Sequence, residues 1–362
     1  MSVKKTNNFA FLIHPPELKD VAKKYPFSKF LPAFLLKPIL RILPPITGSQ
    51  ITGFNLPTGE ELRGRIVICP LTAQQILDNP AQGQRKVLQA VRRAEQLGCE
   101  YIGLGAFTSI ATDAGQYLVD RVKRISLTSG NAYAAALIIE NLEKSCAIIG
   151  IGLSDSVLAI VGAAGSVGFA CSKILSKKAK KIIFIDQRKE ELANLVDEVR
   201  ASLGNSNKQI ESYAQPNSPI QADIVVTVAS ASEGIIKSEH LLPGTIVIDA
   251  AQPHNVAKEV IEERRDVLVM HSGIAFMPGI NLHMDVGIGK EEVYACLGEV
   301  LILAWRGRKG HYSLGKVDPR HVEEILEFAP RVGLRVASFR NQKGKITEDD
   351  FQKIKTFRSK SK

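Results

Sequence analysis

Five cysteines, seven histidines and two clusters of hydroxyl residues are the groups in this 362-residue sequence that could do covalent or acid–base chemistry. Cys296 stands in EEVYACLGEVLILAW, which reads as an apolar helix. A thiolate there could accept an acyl group as a thioester and hold it ready for hydride. The plain alternative is a small buried hydrophobe, since a lone cysteine on an apolar face packs well. His254, His271, His283 and Lys290 are further acid–base candidates, but no two of these histidines have metal-ligand spacing and no metal site is expected. Thr108 and Ser109, in a glycine loop, could donate to an oxyanion. So could Thr128 and Ser129 at a helix cap, although each of the four also reads as an ordinary loop or cap residue.

A second chemistry is written in VLAIVGAAGSVGFACSKIL, residues 157–175. An apolar strand leads into Gly162, Gly165 and Gly168 at the mouth of a helix. The first glycine permits a tight turn, the second lets a pyrophosphate approach the backbone, and the third lets the helix pack closely on the sheet. Asp186 ends the next strand, where a carboxylate would accept ribose hydroxyls, while Arg188 could hold a 2′-phosphate instead. The expected dinucleotide contacts are Gly162, Ala163, Gly165, Ser166, Val167, Gly168, Asp186, Arg188, Ala229 and Ser230, with NADPH and NADH both open.

The elements that must position these groups follow from pattern. From Val157 onward, strands VLAIVG, KKIIFID, ADIVVTVAS, TIVIDAA and DVLVMHSG are apolar and β-branched and are separated by helices. That predicts a parallel sheet covered on both faces. The fold class is therefore α/β: a Rossmann-type doubly wound sheet over 152–282, and a second α/β domain built from 1–151 and the C-terminal helices of 283–340. A basic tail, 341–362, is expected to fray. In the first part, 83–98 is helical, YIGLGAF is a buried strand entering a glycine loop, and LTSGNAYAAALIIENLEK is a capped helix.

Composition sets outer bounds. Hydrophobic content is 45% and charged content 23%, as in ordinary globular proteins. No apolar run is long enough to span a bilayer, and no signal peptide is evident. The odd, scattered cysteines argue for a reducing, cytoplasmic setting and against a disulfide framework. The net charge of +10 suits an acidic carrier or anionic lipid, while no nucleic-acid-binding signature accompanies it. One segment stands apart: FSKFLPAFLLKPILRILPPITG, 27–48, is apolar, carries Lys29, Lys37 and Arg41, and has prolines at 32, 38, 44 and 45. It reads either as an irregular segment packed on the core or as a membrane-surface or acyl-chain-binding element.

Segments LGAFTSI (104–110), TSGNAYAAALI (128–138), VGAAGSVGFAC (161–171), ADIVVTVAS (222–230), VIDAAQPHN (247–255), MDVG (284–287) and YACLGEVLIL (294–303) together resemble the long-chain acyl-[acyl-carrier-protein] reductases, which form fatty aldehydes. They recur in family order and cover most of the chain from 64 to 303. The resemblance implies that Cys296 is the acyl-accepting nucleophile, with NAD(P)H as cofactor and acyl carrier protein or acyl-CoA as substrate. With that mechanism, Thr108 and Ser109 are the candidate catalytic partners, and Thr128, Ser129 and Asn131 the candidate substrate-binding residues. Where members carry an Ala-Arg pair after the second strand, this chain has Asp186 and Gln187, which keeps NADH open. The proline-rich segment and basic tail are additions to the family pattern. Two other functions share the architecture: a dehydrogenase of the shikimate or amino-acid type without a covalent intermediate, and a non-catalytic dinucleotide-binding regulator.

Overall fold

The computed structural model describes residues 8–24, 30–230 and 233–360. The chain forms two compact units, each discontinuous in sequence. The first comprises Met1–Asn131, Ala275–Gly315 and Ile325–Arg335, and the second Ala132–Ile274, Lys316–Glu324 and Val336–Lys362.

In the first unit, strands β1 (Phe9–Ile13), β2 (Ile46–Asn55), β3 (Glu61–Ile68), β4 (Tyr101–Leu104) and β5 (Ser126–Thr128) form a sheet in the order β2-β3-β1-β4-β5. β3, β1, β4 and β5 are mutually parallel and β2 is an antiparallel edge. FAFLI is buried on both faces, as a central parallel strand must be. Helices α1 (Leu18–Lys24), α2 (Ala33–Ile42), α3 (Ala73–Asp78), α4 (Pro80–Gln96) and α5 (Phe107–Ala111) connect the strands. Asn79 caps α4 through Gln82 N–H, and Pro80 sits at its first position, where no N–H is needed. Its buried row Val87, Ala90, Val91 and Ala94 packs with Leu12, Val67, Ile102 and Leu104.

In the second unit, helix α6 (Asn131–Ile149) leads to β6 (Val157–Val161), α7 (Ser166–Lys178), β7 (Lys181–Ile185), α8 (Lys189–Leu203), β8 (Gln209–Tyr213), β9 (Ile224–Thr227), β10 (Ile246–Asp249), α9 (Lys258–Glu263) and β11 (Leu268–His271). The sheet order is β11-β10-β9-β6-β7-β8, and every pair is parallel. This is the doubly wound Rossmann arrangement, with its crevice where the order reverses between β6 and β9. The α/β expectation holds. The sequence reading lacked β8, whose QIESY is half-exposed and polar because it lies at the sheet edge.

Among the described residues, helices α10 (Ala295–Arg306), α11 (Pro319–Val332) and α12 (Glu348–Lys360) follow, with short strands before and between them. The tail expected to fray carries α12 instead. Thr347 and Asp350 form a reciprocal cap, Phe351 and Ile354 are buried, and Arg358 donates to Gly244 O and Asp223 Oδ1. The segment 27–48 is not irregular either. Residues 27–29 lie outside the described residues, but α2 runs through Pro38 and seats Leu36 and Leu40 beside Val21. Pro38 is the sixth residue of this helix, so it forgoes the one N–H that would have bonded to Phe34 O, and the helix continues past it to Ile42.

Candidate active site

Cys296 is the second residue of α10, not a mid-helix position: Glu292–Tyr294 is extended and Tyr294 is the N-cap. Its sulfur therefore lies at the positive end of a helix. The backbone N–H groups of Leu297, of Cys296 itself and of Ala106 lie beside the sulfur and favour its thiolate. Ala106 belongs to the glycine loop after β4 and holds φ at +48°, a backbone that non-glycine residues rarely adopt. Gly105 N–H bonds to Leu12 O at 2.8 Å, which pins the loop to β1.

His14, at the end of β1, supports the same loop. Its Nδ1 donates to Pro15 O at 3.0 Å, so the proton is on Nδ1 and Nε2 accepts from Phe107 N–H at 3.3 Å. Burial lowers its pKa, the direction that this acceptor role requires. The sequence reading passed over His14. Its signal was a histidine directly after a fully apolar strand, followed by two prolines.

The TSG segment closes the other side. A Cβ on Gly130 would lie 2.2 Å from Cys296 Cα and 2.5 Å from its Cβ, and Gly130 has φ +79°. Gly103 faces α10 in the same way, with a virtual Cβ 2.6 Å from Cys296 O. Ile102 and Leu104, its neighbours in β4, turn to the α4 side, so the strand alternation alone assigns Cys296 its sheet face. Thr128 Oγ1 and Ser313 Oγ both donate to Glu299, while Ser129 Oγ donates to Ser313 O. Gly130 N–H bonds to Thr128 Oγ1 at 3.2 Å and Asn131 N–H to Ser129 Oγ at 3.3 Å. The Thr128 and Ser129 hydroxyls thus hold the turn that Gly130 needs. Glu299, fully buried and three residues beyond Cys296, was also passed over. Its signal was a single carboxylate inside an otherwise apolar helix, on the face of Cys296.

Thr108 lies in α5, and its hydroxyl donates to Gly105 O at 2.7 Å. Ser109 is next to it, largely buried. From this loop it is the main chain, through Ala106 N–H, that meets the sulfur.

All five cysteines are free. Burial pushes the Cys296 thiol up to about 12, and Glu299 acts in the same direction, against the three N–H donors. Cys99 and Cys171 are pushed as high, and Cys69 and Cys146 to about 11. Acidity therefore does not single out Cys296. Partial exposure and converging N–H groups do, whereas the other four are buried.

In the second unit the glycine turn takes its expected shape. Gly162 has φ +82°, and a Cβ there would lie 2.7 Å from Ala229 Cα. A Cβ on Gly168 would lie 2.0 Å from Gly162 O, so α7 rests directly on the turn. Gly165 is different: its φ is −68°, and the nearest atom to a Cβ is Gly162 O at 3.2 Å. Ser166 and Val167, half-buried, open α7 beside it, and Ala163 is buried beneath. An open position at the mouth of a 13-residue helix fits a pyrophosphate.

Asp186 is already engaged. It accepts from Ala164 N–H at 3.0 Å, Arg188 N–H at 3.0 Å, and the Arg188 guanidinium at 2.9 and 2.7 Å. Burial pushes its pKa up, but the Arg188 contacts outweigh burial and leave it lowered. The carboxylate and guanidinium expected to compete for the ribose are paired with each other beside the glycine turn. Ala229 is half-buried and Ser230 exposed. Asn255, unnoticed in the sequence, clamps this stretch: its Oδ1 accepts from Thr227 Oγ1 at 2.6 Å and Ala229 N–H at 3.0 Å.

Two of the histidines that lacked ligand spacing come together. Asp249, His254 and His271 offer ligand atoms within 4.8 Å of one another. The two rings, however, are stacked at 3.6 Å with an interplanar angle of 17°, so their in-plane lone pairs run side by side and do not converge on one ion. Burial, then the neighbouring His254, pushes His271 down to about 4. His283 instead bonds to Thr52 Oγ1 at 2.8 Å. Lys290 is exposed.

No protein-family model matches the chain. It is 25% identical over 291 residues to the aminotransferase PigE of a Serratia strain, which covers 77% of this chain and only 33% of that protein. It is 26% identical over 309 residues to the long-chain acyl-[acyl-carrier-protein] reductase of Synechococcus elongatus, covering 81% of this chain and 87% of that protein. Among solved structures, shikimate 5-dehydrogenase from Listeria monocytogenes matches 90% of this chain and 98% of its own, at 10% identity and a TM-score of 0.39. Each likeness is distant.

Proposed function

We propose that this protein is an oxidoreductase that uses NAD(P)H to reduce a fatty acyl thioester to an aldehyde through a Cys296 acyl-enzyme. The observation that carries the reading is the setting of Cys296: a half-buried cysteine at a helix N-terminus, with Ala106 and Leu297 N–H groups beside its sulfur and walled by two glycines. The likeness to the Synechococcus elongatus reductase over 87% of its length supports the same chemistry.

The Cys296 sulfur attacks the thioester carbonyl carbon. The bond from that carbon to the carrier sulfur breaks, and the carrier leaves as a thiol with the proton that Cys296 gives up. Ala106 and Leu297 N–H groups are the donors for the charge that develops on the carbonyl oxygen. Such donors are effective because they are fixed beforehand, Ala106 by its constrained backbone and by His14 beside it. Glu299 keeps the 128–130 turn in place through Thr128 and Ser313, and its charge favours the neutral thiol at rest. The glycine turn, Gly162 to Gly168, would hold NAD(P)H, which would supply the hydride that turns the acyl-enzyme into aldehyde, with Cys296 as the leaving thiolate. Both acyl carrier protein and coenzyme A are acidic, which suits a chain of net charge +10.

Mass spectrometry after incubation with acyl-CoA, without reductant, tests this reading. The wild type should gain one acyl mass, released on addition of NAD(P)H, and Cys296→Ser should gain none. If Cys296→Ser is still acylated, or reduces thioesters undiminished, the covalent route is wrong and direct hydride transfer replaces it.

A further inference from the structure

α2 has three kinds of surface where a helix on a globular domain has two. Leu36 and Leu40 form one row, buried with Val21 and flanked by Leu18, Leu31 and Leu43. Phe34, Pro38 and Ile42 form a second row at i, i+4 spacing, and Leu35 and Ile39 lie next to it. This second face is exposed: Phe34 by 72%, Leu35 by 46%, Ile39 by 38% and Ile42 by 79%, with Phe30 just before the helix at 88%. Lys37 and Arg41, both exposed, form the third row, bordering the Phe34 side of the apolar face. The underside already satisfies the ordinary packing requirement of an amphipathic helix. The outer face is a second apolar requirement that the fold leaves unmet.

The charge pattern says what meets it. α2 itself carries Lys37 and Arg41 and no Asp or Glu. A two-fold contact of this face with a second copy would bring those cations together with no acid on the helix to pair them. A bilayer carrying anionic headgroups provides both complements at once: hydrocarbon for the phenylalanine and isoleucine side chains, and phosphates for the cations. We infer that the outer face of α2 is a docking surface for an anionic lipid membrane, with the helix lying in the plane of the interface. No helix among the described residues is long and apolar enough to cross a membrane, which is consistent with lying on it. The inference does not depend on the reaction at Cys296, and it is tested without an activity assay.

The test is flotation of the full chain with vesicles of phosphatidylcholine alone or mixed with phosphatidylglycerol. The wild type should partition onto the mixed vesicles and far less onto phosphatidylcholine. Phe34→Ser/Ile42→Ser should lose at least tenfold in partitioning, on the order expected from removing two large apolar side chains from the interface. Its thermal melting should be unchanged, because both positions are exposed. Lys37→Ala/Arg41→Ala should lose about thirtyfold, since each basic residue near an anionic surface contributes about fivefold. Equal binding to both vesicle types overturns the inference, as does undiminished binding by Phe34→Ser/Ile42→Ser. So does a wild-type dimer that the serine variant converts to monomer in the absence of vesicle binding, for then a second copy covers the face.

Discussion

Replacing Gly130 with alanine should cripple acylation while leaving cofactor binding intact. Two penalties combine at this position. The first is conformational: φ is +79°, a region that costs an L-residue about 1–2 kcal/mol. The second is a collision. The new methyl would sit 2.2 Å from Cys296 Cα, and ordinary contact begins at 3.4 Å, so Cys296 or the turn must yield by roughly 1.2 Å. The neighbour is backbone at the start of a packed helix, not the free end of a side chain, so relief comes by moving the sulfur away from Ala106 N–H. Misplacing a reacting group by about 1 Å costs roughly 100-fold in rate. The assay is single-turnover acylation by a radiolabelled acyl thioester with NAD(P)H withheld, alongside thermal melting and a fluorescence titration with NAD(P)H. Gly98→Ala is the control: Gly98 has φ +81° but no atom within 4 Å of a Cβ, so it carries the first penalty alone. Gly98→Ala should melt lower and acylate normally. Gly130→Ala should acylate about 100-fold more slowly. Equal acylation rates for the two folded variants would refute the claim that Cys296 works from this geometry.

Gly165→Val should fold, because φ is −68° and the closest clash is 3.2 Å, yet lose NAD(P)H affinity by tenfold or more as its side chain fills the pyrophosphate position. Unchanged affinity by fluorescence titration would remove the dinucleotide from this turn. Asp186→Ser should free Arg188 from its carboxylate fork and move the ratio of kcat/KM for NADPH over NADH upward by about 10–100-fold, the range for a charge-assisted pair. An unchanged ratio would mean that neither side chain reaches the ribose. His271 has a folded pKa of about 4, below its unfolded value, so the unfolded chain binds the extra proton between about pH 4 and 6.5. Its contribution to stability is complete above that window and is lost as pH falls through it. His271→Phe keeps a ring for His254 to stack on and cannot titrate, so its urea midpoint should drop less between pH 7 and pH 5 than the wild-type midpoint; an equal drop would assign the loss to other groups.

Much of this architecture is written locally. The parallel Rossmann sheet is legible because its strands are continuous apolar runs, and the glycine turn because a tight turn and close helix packing each exclude a Cβ over a few residues. The cap at Thr347 and the row Phe351, Ile354 were equally local, and α12 forms where a frayed tail was expected because a short cap-and-row signal outweighs a lysine-rich composition. The start of α10 was less legible. Its apolar run extends back through Tyr294 and Val293, so periodicity alone placed Cys296 in mid-helix, and only the extended backbone at Glu292–Tyr294 puts it at the N-terminus.

What the sequence determined by itself was the fold class, the cofactor-type turn and a short list of chemically able residues. The tertiary structure decided which of them meet. Thr128 and Glu299 are 171 residues apart and share a proton contact, and His14 and Phe107 are 93 apart and fix one loop. It also decided that the loop meets Cys296 through the Ala106 main chain, and that Asp186 is held by Arg188. Backbone N–H groups are the same in every residue but proline, so no residue type announces an N–H that points into a site. Contacts between distant segments exist only once the sheet fixes its strand order and alternation, and the proposed chemistry rests on those contacts.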